Sequence, residues 1–530
     1  MNKIYDFFVS GNKKEFITKW FLISIALVVI TSIVSIDFFE GLELTQNIEF
    51  ASYKNGKMME TGSLFVEYYW KLGRWLMPSI NYTNIQILQS VGISNPFIQA
   101  CFFRLTWGVF GLIAIFLLMN VSYKITNDER KSKIIVVMLS TLWFIPYFLV
   151  RGGSVTFSGV LLAIAISLLI LYSKEISNNK KEFSMPLMFF IGLIFGFAVV
   201  VRLQVLPFIF GTSLWIMIYG KNLKDSIIKL SIMYLFMIIP LILGFFIDSW
   251  GYGKFTNTLL NYFDFNFIQK KANVWGTDPF WGYFYLIPNM VPKQYIILPI
   301  IIMVSYILFW IKNPKNIITW ATIPFIVSHF FISHKEARFL VPIFLFIPIV
   351  LTMGLSFDKG KIYEFFKKFN LKTIAVILFV LNISGFVLVI NNGSFRDTMN
   401  FQKYIYTNFK EGFEGYILDT KQTEYPFEFW MKSYFYRPKS LVINNIENIE
   451  NIDKLLETKE KIYLIVKWNN LDDTGKNYTL KEVFAHKENT KLVYQLKKLF
   501  KFGVNIIIKD KYDLNLPNKN VCALYLVEKR

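Results

Sequence analysis

The stretch from Ser184 to Gly220 reads SMPLMFFIGLIFGFAVVVRLQVLPFIFGTSLWIMIYG and contains one charged residue, Arg202. A helix needs about 20 mostly apolar residues to cross a bilayer, so one helix over this stretch would far exceed the hydrocarbon thickness. Lysines flank both ends, at Lys180 and Lys221, as expected when the two ends of a hairpin share one side of a membrane. The stretch therefore predicts two spanning helices that turn at Arg202.

Similar uncharged runs recur along most of the chain, and 54% of its 530 residues are apolar. A soluble protein could not bury that much apolar surface in separate cores, so lipid must solvate part of it. The runs predict an α-helical polytopic membrane protein with eleven spans. The predicted spans are Trp20–Ile36, Leu105–Val121, Ile134–Val150, Ser154–Ser173, Ser184–Val201, Leu203–Gly220, Leu230–Ile247, Tyr295–Ile311, Ile317–Ser333, Phe339–Phe357 and Thr373–Ile390.

The net charge of +20 is not accompanied by a zinc-finger spacing or a ribonucleoprotein motif, which argues against nucleic acid as a partner. Instead, the basic residues follow the spans. Alternate loops hold twenty-one basic residues on one side, against four in the short loops of the other side, namely Arg151, Arg202, Lys335 and Arg338. Loops rich in Lys and Arg stay in the cytoplasm. The N-terminus is therefore predicted to be cytoplasmic, and the tail after Ile390 extracytoplasmic.

Three segments are too polar to span, and all fall on the predicted outer side: Asp37–Arg104, Asp248–Gln294 and Asn391–Arg530. Strand-like runs alternate with helix-compatible stretches in the last segment. These runs are Gly415–Asp419, Ser440–Asn444, Lys461–Trp468, Gly503–Lys509 and Cys522–Glu528. We predict a membrane domain over residues 1–390, with outer loops 37–104 and 248–294, and a small extracytoplasmic α/β domain over residues 391–530.

The first outer segment opens with an acidic cluster, DFFEGLE, that begins directly after a predicted span. Spacings of three and six residues put Asp37, Glu40 and Glu43 near one face of a short helix. A carboxylate at the membrane surface could act as a general base. The same acids could simply end a span, because charged residues usually lie at the surface.

The second outer segment is dense in Trp, Tyr, Asn and Gly. Aromatic faces stack on the CH surfaces of sugars and amides bind hydroxyl groups, yet aromatic residues also form the ordinary interfacial belt of membrane proteins. Composition leaves both interpretations open. The candidate binding residues are Asp248, Tyr252, Asn261, Asn266, Trp281 and Tyr283.

The segment from Ser333 to Phe339 reads SHKEARF and separates the ninth and tenth predicted spans. It places four ionisable residues in five positions on the side where basic residues are otherwise sparse. Ionisable residues at a membrane edge are candidates for function, and a phosphate headgroup would explain these. The alternative is a turn whose Lys, Glu and Arg neutralise one another.

The run HKEARFL, from His334 to Leu340, resembles the His-Lys-Glu-x-Arg-Phe signature of the lumenal mannosyltransferases that extend GPI anchors and dolichol-linked oligosaccharides. These enzymes belong to the GT-C glycosyltransferase superfamily. The second outer segment is similar to the large second lumenal loop of that family, and the Asp37 to Glu43 cluster resembles its first-loop acidic motif. The resemblance extends through about Leu355 and does not cover the tail.

This sequence departs from the family pattern at two places in the acidic motif. Ile36 stands where the family has the first of two adjacent acids, and Glu40 stands where it has Gln. A Thr-Trp-Glu element of the family is matched loosely by Phe65-Val66-Glu67, with Glu60 as another counterpart of its acid.

The resemblance implies an inverting transferase that uses a polyprenyl-phosphate sugar, with mannose as the expected sugar. It implies that Asp37 is the general base and that Glu40, Glu43 and Glu67 orient or bind the acceptor. The donor-phosphate ligands that it implies are Arg202, His334, Lys335 and Arg338. No clustered ligand set calls for a metal, and no cofactor is expected.

The expected partners are membrane lipid, the sugar donor and a glycan or lipid-linked acceptor. Two alternatives stay open: another GT-C transferase with a different sugar or a protein acceptor, and a lipid flippase or transporter. A transporter would place charged residues near the midplane of its spans. The predicted spans are almost free of charge and the acids gather at one face, which favours chemistry at the membrane surface.

Overall fold

The computed structural model describes residues 11–39, 41, 43–56, 66–176, 180–291, 295–356, 371–391, 396–418, 433–438, 440–446, 450–466, 478–485 and 523–529. Helices account for most of them, as the sequence predicts. The α-helices are α1 (Lys13–Val34), α2 (Glu49–Lys54), α3 (Val66–Tyr69), α4 (Leu76–Ser90), α5 (Pro96–Thr126), α6 (Glu129–Thr141), α7 (Phe144–Leu149), α8 (Ser154–Tyr172), α9 (Met185–Val201), α10 (Leu206–Tyr219), α11 (Leu223–Tyr252), α12 (Thr258–Phe263), α13 (Tyr283–Asn289), α14 (Ile297–Lys312), α15 (Ile317–Phe331), α16 (Ile347–Gly354), α17 (Leu371–Asn391), α18 (Arg396–Asn408) and α19 (Glu450–Thr458). Three-ten segments cover Leu203–Val205, Lys271–Trp275, Phe280–Gly282 and Ala337–Phe346, and π-helical segments cover Glu43–Ile48 and Asp264–Ile268.

Ten apolar helical segments of the described chain fall on ten of the eleven predicted spans. Five of them are long and apolar enough to cross a membrane: Lys13–Val34, Pro96–Thr126, Ser154–Tyr172, Leu223–Tyr252 and Ala337–Gly354. Five are shorter: Met185–Val201, Leu203–Tyr219, Ile297–Lys312, Ile317–Phe331 and Leu378–Asn391. This pattern is that of an integral membrane protein, while the total of eleven spans stays a prediction.

The predicted third span, Ile134–Val150, is not one continuous helix. α6 ends at Thr141 and α7 begins at Phe144. Pro146 lies in the first turn of α7, and a proline cannot donate the backbone hydrogen bond that a continuous helix requires at that point. The short α7 ends at Leu149, two residues before Arg151.

Two predicted loop boundaries also differ from the structure. α11 continues through Tyr252, so Asp248 and Tyr252 lie in a helix and not in the second outer loop. The Asp248 carboxylate accepts hydrogen bonds from Trp75 N (2.8 Å) and from the Thr258 hydroxyl. Because these donors satisfy the carboxylate inside the protein, α11 continues past Asp248. Arg104, predicted to close the first outer loop, lies inside α5.

The predicted hairpin at Arg202 is present. α9 ends at Val201, and Arg202 follows in an extended conformation before a three-ten turn leads into α10. α9 packs tightly against α11, because a Cβ atom on Gly192 would lie 2.3 Å from the Met233 carbonyl oxygen. Small residues of this kind allow helix backbones to approach closely in membranes.

Seven strands are present in the described residues. β1 (Lys174–Glu175) and β2 (Lys181–Glu182) form a short antiparallel pair between α8 and α9. The tail contains β3 (Phe413–Leu418), β4 (Leu441–Ile446), β5 (Lys461–Val466), β6 (Tyr478–Ala485) and β7 (Ala523–Lys529), in the sheet order β4-β3-β5-β7-β6. β3 pairs in parallel with β4 and β5, whereas β7 pairs antiparallel with β5 and β6.

Helices of the tail cover both faces of this sheet. Ile452 of α19 packs in the cluster of Leu464, whereas Phe401 of α18 packs in the cluster of Ile465. Consecutive strand residues point to opposite faces, so the two helices lie on opposite sides. Four predicted strands overlap observed ones, β6 was not predicted, and Gly503–Lys509 lies outside the described residues. The separate extracytoplasmic domain over residues 391–530 stays a prediction.

Candidate active site

A small cavity opens beyond the C-terminal end of α1, between the acidic cluster, α5 and the loop after α7. Its lining residues are Asp37, Phe38, Glu43, Asn47, Ile48, Asn81, Ala100, Phe103, Arg104, Trp107, Val150, Arg151 and Gly152. We call it the acid cavity. Two carboxylates and two guanidinium groups in one buried space are the kind of arrangement that supports proton transfer and charge stabilisation.

Asp37 is fully buried in this cavity, and its carboxylate is fixed by two donors. The Ser35 hydroxyl donates to Oδ1 over 2.7 Å, and Arg151 Nη2 lies 2.5 Å from the same oxygen. Arg151 also donates to the Asp37 carbonyl, and its guanidinium lies 4.1 Å from the Tyr147 ring centroid. Each buried charge thereby offsets the other, since either alone would be costly in this environment.

Glu43 reaches the same cavity by a different route. It opens the π-helical segment after the acidic cluster, and its Oε2 accepts a hydrogen bond from Phe39 N over 2.6 Å. Arg104 faces it from α5, with Nε donating to the Ser32 carbonyl over 2.8 Å. The structure thus brings Asp37 and Glu43 together as the sequence predicts. Glu40 lies outside the described residues.

A second cluster forms around the SHKEARF segment, which connects α15 to a three-ten segment. Its Glu336 accepts hydrogen bonds from Arg338 Nη2 (2.8 Å) and from His334 Nε2 (3.2 Å), and the Arg338 Nε atom pairs with its other oxygen. Burial opposes ionisation of this carboxyl, but the hydrogen bonds and charges of His334 and Arg338 lower the pKa of Glu336 to about 2. Glu336, His334 and Arg338 therefore form one hydrogen-bonded network.

His334 is held from both ring nitrogens. Nδ1 lies 2.9 Å from the Gly276 carbonyl, and Nε2 faces Glu336. The hydrogen bond to Glu336 raises the pKa of His334 above its ordinary value, because a doubly protonated imidazole donates to both acceptors. Gly276 has a φ of 101°, which favours glycine and turns its carbonyl toward the histidine.

Lys335 is buried against the second outer loop. Its main-chain N donates to Asp278 Oδ2 and its Nζ to the Asp278 carbonyl, both over 3.3 Å, and Nζ also donates to the Ile332 carbonyl over 2.5 Å. Burial lowers the pKa of Lys335. Asp278 N in turn donates to the Ser333 carbonyl over 2.9 Å, so the loop and the motif are joined in both directions.

Arg202 lies at the edge of this motif cluster. Its guanidinium is 5.1 Å from the ring centroid of Phe339, and the Arg338 guanidinium is 6.0 Å from the same ring. Its charge also acts on Tyr283 and His329, both of them buried. Within the described residues, the Tyr283 hydroxyl and His329 Nε2 have no hydrogen-bond partner. Two uncommitted polar atoms therefore lie close to a cationic cluster.

Most other residues predicted in the second loop hold the first loop in place. Tyr252 OH donates to the Gly73 carbonyl (2.7 Å), and Asn261 Nδ2 donates to the Lys71 carbonyl (3.2 Å). With the bond from Trp75 N to Asp248, these contacts tie residues 71–75 to α11 and α12. Asp248, Tyr252 and Asn261, which the sequence suggests as binding residues, therefore hold the first loop against α11 and α12. Of the remaining candidates, Asn266 donates to the Tyr262 carbonyl one turn earlier, Trp281 is exposed, and Glu67 lies in α3.

The acid cavity and the motif cluster are connected by packed aromatic rings. Phe39 of the acidic cluster lies 4.8 Å from Phe148 of α7, and Phe148 lies 5.4 Å from Phe344, which follows the motif. These centroid distances are typical of edge-to-face aromatic pairs. The two clusters therefore share one packed core.

The sequence analysis does not identify three residues that the structure places against predicted site residues. Arg151 pairs with Asp37, and the Asp278 carbonyl accepts a hydrogen bond from Lys335. Arg396 of α18 was also missed, with Nη1 3.8 Å from Asp37 Oδ2. Of these residues, only Arg151 has a feature in the sequence that could have revealed it, because it lies in a short loop on the side where short loops contain few basic residues.

Comparison with known proteins places the chain in a family. Residues 11–432 match the model of the Alg9-like mannosyltransferase family. GPI mannosyltransferase 3 of Yarrowia lipolytica is 26% identical over 53% of this chain and 52% of its own length. Mannosyltransferase APTG1 of Arabidopsis thaliana is 24% identical over 62% of this chain and 57% of its own length.

Two further similarities are shorter or more distant. The probable Dol-P-Man:Man(7)GlcNAc(2)-PP-Dol alpha-1,6-mannosyltransferase of Schizosaccharomyces pombe is 32% identical over 18% of this chain and 17% of its own length. The match thus spans between 17% and 57% of the length of these three relatives. ArnT from Cupriavidus metallidurans, crystallised with undecaprenyl phosphate, is 10% identical with a TM-score of 0.50 over 96% of this chain and 98% of its own, a likeness of fold alone. Because the family match covers most of the sequence, the chain belongs to the Alg9-like mannosyltransferase family.

Proposed function

We propose that this chain is an inverting mannosyltransferase that moves mannose from a polyprenyl phosphate to a hydroxyl group of a lipid-linked glycan or a related acceptor. The observation that carries the proposal is the buried carboxylate of Asp37, held by Arg151, in a chain that also presents a cationic motif at the edge of a span. The Schizosaccharomyces pombe relative is named for a dolichyl-phosphate mannose donor, and the ArnT crystal contains undecaprenyl phosphate.

The proposed reaction needs a base on one side of the sugar and cations on the other. Asp37 takes the proton of the acceptor hydroxyl while the acceptor oxygen forms a bond to C1 of mannose. The bond between C1 and the phosphate oxygen breaks, the anomeric configuration inverts, and polyprenyl phosphate leaves with the electron pair. Glu43, Glu40 and Glu67 would orient or bind the acceptor.

Cations of the motif cluster would stabilise the departing phosphate. Arg338 has the planar fork that suits a phosphate, and Lys335 and protonated His334 add charge and donors. Arg202 would complete the cluster, with Tyr283 and His329 offering polar atoms beside it. The proposed reaction uses no metal or other cofactor, because the lipid-phosphate sugar is itself a substrate.

The proposal includes an orientation: N-terminus in the cytoplasm, and both clusters and the tail on the extracytoplasmic face. The asymmetry of twenty-one basic residues in the loops of one side against four in the short loops of the other supports it. A transferase with another sugar or a protein acceptor is the main rival. A transporter is less well supported, because the ionisable residues of both clusters, apart from Arg104 inside α5, lie at the ends of helices and in loops.

The experiment compares the variants Asp37→Asn and Glu40→Gln with the wild type. The amide keeps the shape of Asp37 but cannot accept the proton, so single-turnover transfer should fall by about 10² to 10⁴ with little change in donor binding. Glu40→Gln restores the residue type common in the family and should be tolerated. The measurement is transfer from polyprenyl-phosphate mannose in matched proteoliposomes.

The two variants separate the roles of the neighbouring acids. An active Asp37→Asn beside an inactive Glu40→Gln would move the base to Glu40. Two active variants would refute a base in the first loop altogether.

A further inference from the structure

The end of α9 beside Arg202 is capped by a residue of the first outer loop. The Nη1 atom of Arg74 donates to the main-chain carbonyls of Val199 and Val200, both over 2.8 Å. In a continuous α-helix each of these carbonyls would accept from the main-chain N four residues later in the chain, beyond Arg202. The guanidinium of Arg74 therefore replaces the helical donors at the point where α9 ends.

This cap accompanies a change in backbone conformation at Arg202. The Arg202 N atom still donates to the Ala198 carbonyl over 2.8 Å, but Arg202 itself is extended, with φ −154° and ψ 110°. The following residues form the three-ten turn that leads into α10. A cation is favourable at the C-terminal end of a helix, where carbonyl oxygens lack helical donors. Arg74 therefore stabilises the helix end that leaves Arg202 outside α9.

A second contact holds the chain on the other side of Arg202. The guanidinium carbon of Arg74 lies 5.5 Å from the ring centroid of Tyr262, and the Tyr262 hydroxyl accepts a hydrogen bond from Gln204 Nε2. Gln204 is two residues after Arg202. Arg74 and Tyr262 therefore act together on the residues before and after Arg202.

The loop segment that supplies Arg74 is itself anchored on both sides. The carbonyl of Gly73 accepts a hydrogen bond from Tyr252 OH over 2.7 Å, and Trp75 N donates to Asp248 Oδ1 over 2.8 Å. Both partners lie in α11, the helix that packs against α9. The position of Arg74 relative to the end of α9 is therefore set by main-chain contacts.

Arg202 connects this helix end to the motif cluster. Its guanidinium lies 5.1 Å from the ring centroid of Phe339, and the Arg338 guanidinium lies 6.0 Å from the same ring. An arginine presents its donors in a rigid planar fork, so a change in the direction of its backbone moves all of them. A disturbance at the end of α9 would therefore reach the motif cluster through Arg202.

We propose that Arg74 is a positioning residue of the donor site, which caps the end of α9 and thereby holds Arg202 where its guanidinium binds the phosphate of the polyprenyl-phosphate sugar. This inference rests on the proposed function, which assigns Arg202 to that phosphate. Arg74 acts through Arg202 and contributes no phosphate contact of its own. The two residues therefore behave as one unit in donor binding.

The test is a double-mutant cycle on Arg74→Gln and Arg202→Gln, in the full chain reconstituted in nanodiscs. The measurement is the Kd of radiolabelled undecaprenyl phosphate. We expect Arg74→Gln to raise this Kd about tenfold in the wild-type background, the loss of one well-placed charge-assisted hydrogen bond, and less than about twofold in the Arg202→Gln background. KM for the acceptor should stay that of the wild type in Arg74→Gln.

Lys312→Gln is the matched control for the loss of a helix cap. Lys312 Nζ donates to the carbonyls of Gly354 (2.8 Å) and Ser356 (2.7 Å) at the end of α16. Lys312 ends α14, whereas the motif follows the far end of α15. We expect this variant to melt at a lower temperature and to bind undecaprenyl phosphate with the wild-type Kd.

Arg74→Lys is the conservative variant. Its ammonium group still donates to carbonyls at a helix end, so its Kd should lie between those of the wild type and Arg74→Gln. If Arg74→Gln does not fold, the same cycle is completed with Arg74→Lys, and its smaller rise in Kd should also vanish in the Arg202→Gln background.

A Kd for Arg74→Gln equal to that of the wild type would overturn the inference. So would the same fold-rise in both backgrounds, because Arg74 would then act independently of Arg202. A wild-type chain that binds no undecaprenyl phosphate would remove the proposed donor and this inference together. A wild-type chain that binds it while the effects of the two substitutions multiply would remove the inference alone.

Discussion

At the scale of the residue, Glu336 is the centre of the cationic motif. It accepts from His334 and Arg338, and its pKa of about 2 keeps it ionised at any physiological pH. The carboxylate therefore fixes His334 and Arg338 in place, which in the proposed reaction prepares them for the phosphate. Preorganised cations cost little reorganisation when charge develops on a leaving group.

This arrangement gives a prediction for Arg338→Lys. The lysine keeps the charge but loses the planar fork that pairs with Glu336 and that would pair with a phosphate. We expect polyprenyl phosphate to inhibit the variant with an inhibition constant raised about tenfold or more, the loss of one charge-assisted hydrogen bond. The measurement is product inhibition of mannosyl transfer, with the exposed Arg130→Lys as the control for an arginine-to-lysine change.

An inhibition constant for Arg338→Lys within twofold of the wild type would remove Arg338 from the phosphate site. Thermal unfolding of both variants separates this result from a loss of folded protein, because the pairing with Glu336 is also weakened.

Local sequence reveals candidate residues better than it reveals their partners. Asp37 and the motif from His334 to Arg338 stand out by charge and position alone. Arg151 is 114 residues from Asp37, and Asp278 is 57 residues from Lys335, so only the fold brings these pairs together. Asp248 shows the opposite case. Its carboxylate is a plausible binding group in the sequence, but in the structure its oxygens accept hydrogen bonds from Trp75 and Thr258 and so join two segments of the chain.

At the scale of the element, apolar length predicts where helices lie but not how they begin and break. The runs around the spans coincide with helices because a membrane requires about 20 apolar residues in helical form. Pro146 divides the third predicted span, and a three-ten segment replaces the start of the tenth, where Pro342 cannot donate. The strand β6 was not predicted.

The loops between these helices allow a test of the predicted orientation of the chain in the membrane. A reporter fused at Lys131, after α5, should report the cytoplasm, and a reporter fused after Asn391, at the end of α17, should report the opposite side. A fusion at Lys224, in another loop rich in lysine, is the control and should agree with Lys131. If the reporters at Lys131 and Asn391 lay on one side, the single-faced active site would be wrong.

At the scale of the whole molecule, the chain combines a helical membrane part with a tail that folds as helices on both faces of a mixed sheet. The sequence predicts this combination because apolar runs stop at Ile390 and strand-like runs begin afterwards. The contact between the two parts could not be predicted, since Ser433 and Glu49 are 384 residues apart and neither stands out in its own segment. The same segment places Tyr436 against Phe38, which lines the acid cavity.

The central claim is that the chain takes mannose from a lipid phosphate. In the most direct measurement, the purified full chain in proteoliposomes receives octyl α-mannoside as the acceptor. The donor is radiolabelled mannose, linked either to polyprenyl phosphate or to a nucleoside diphosphate. We predict labelled product from polyprenyl-phosphate mannose and none from the nucleotide sugar, because the cationic motif lies at the membrane edge where a lipid headgroup is presented. Product from the nucleotide sugar, or product from another polyprenyl-phosphate sugar with none from the mannose form, would contradict the account.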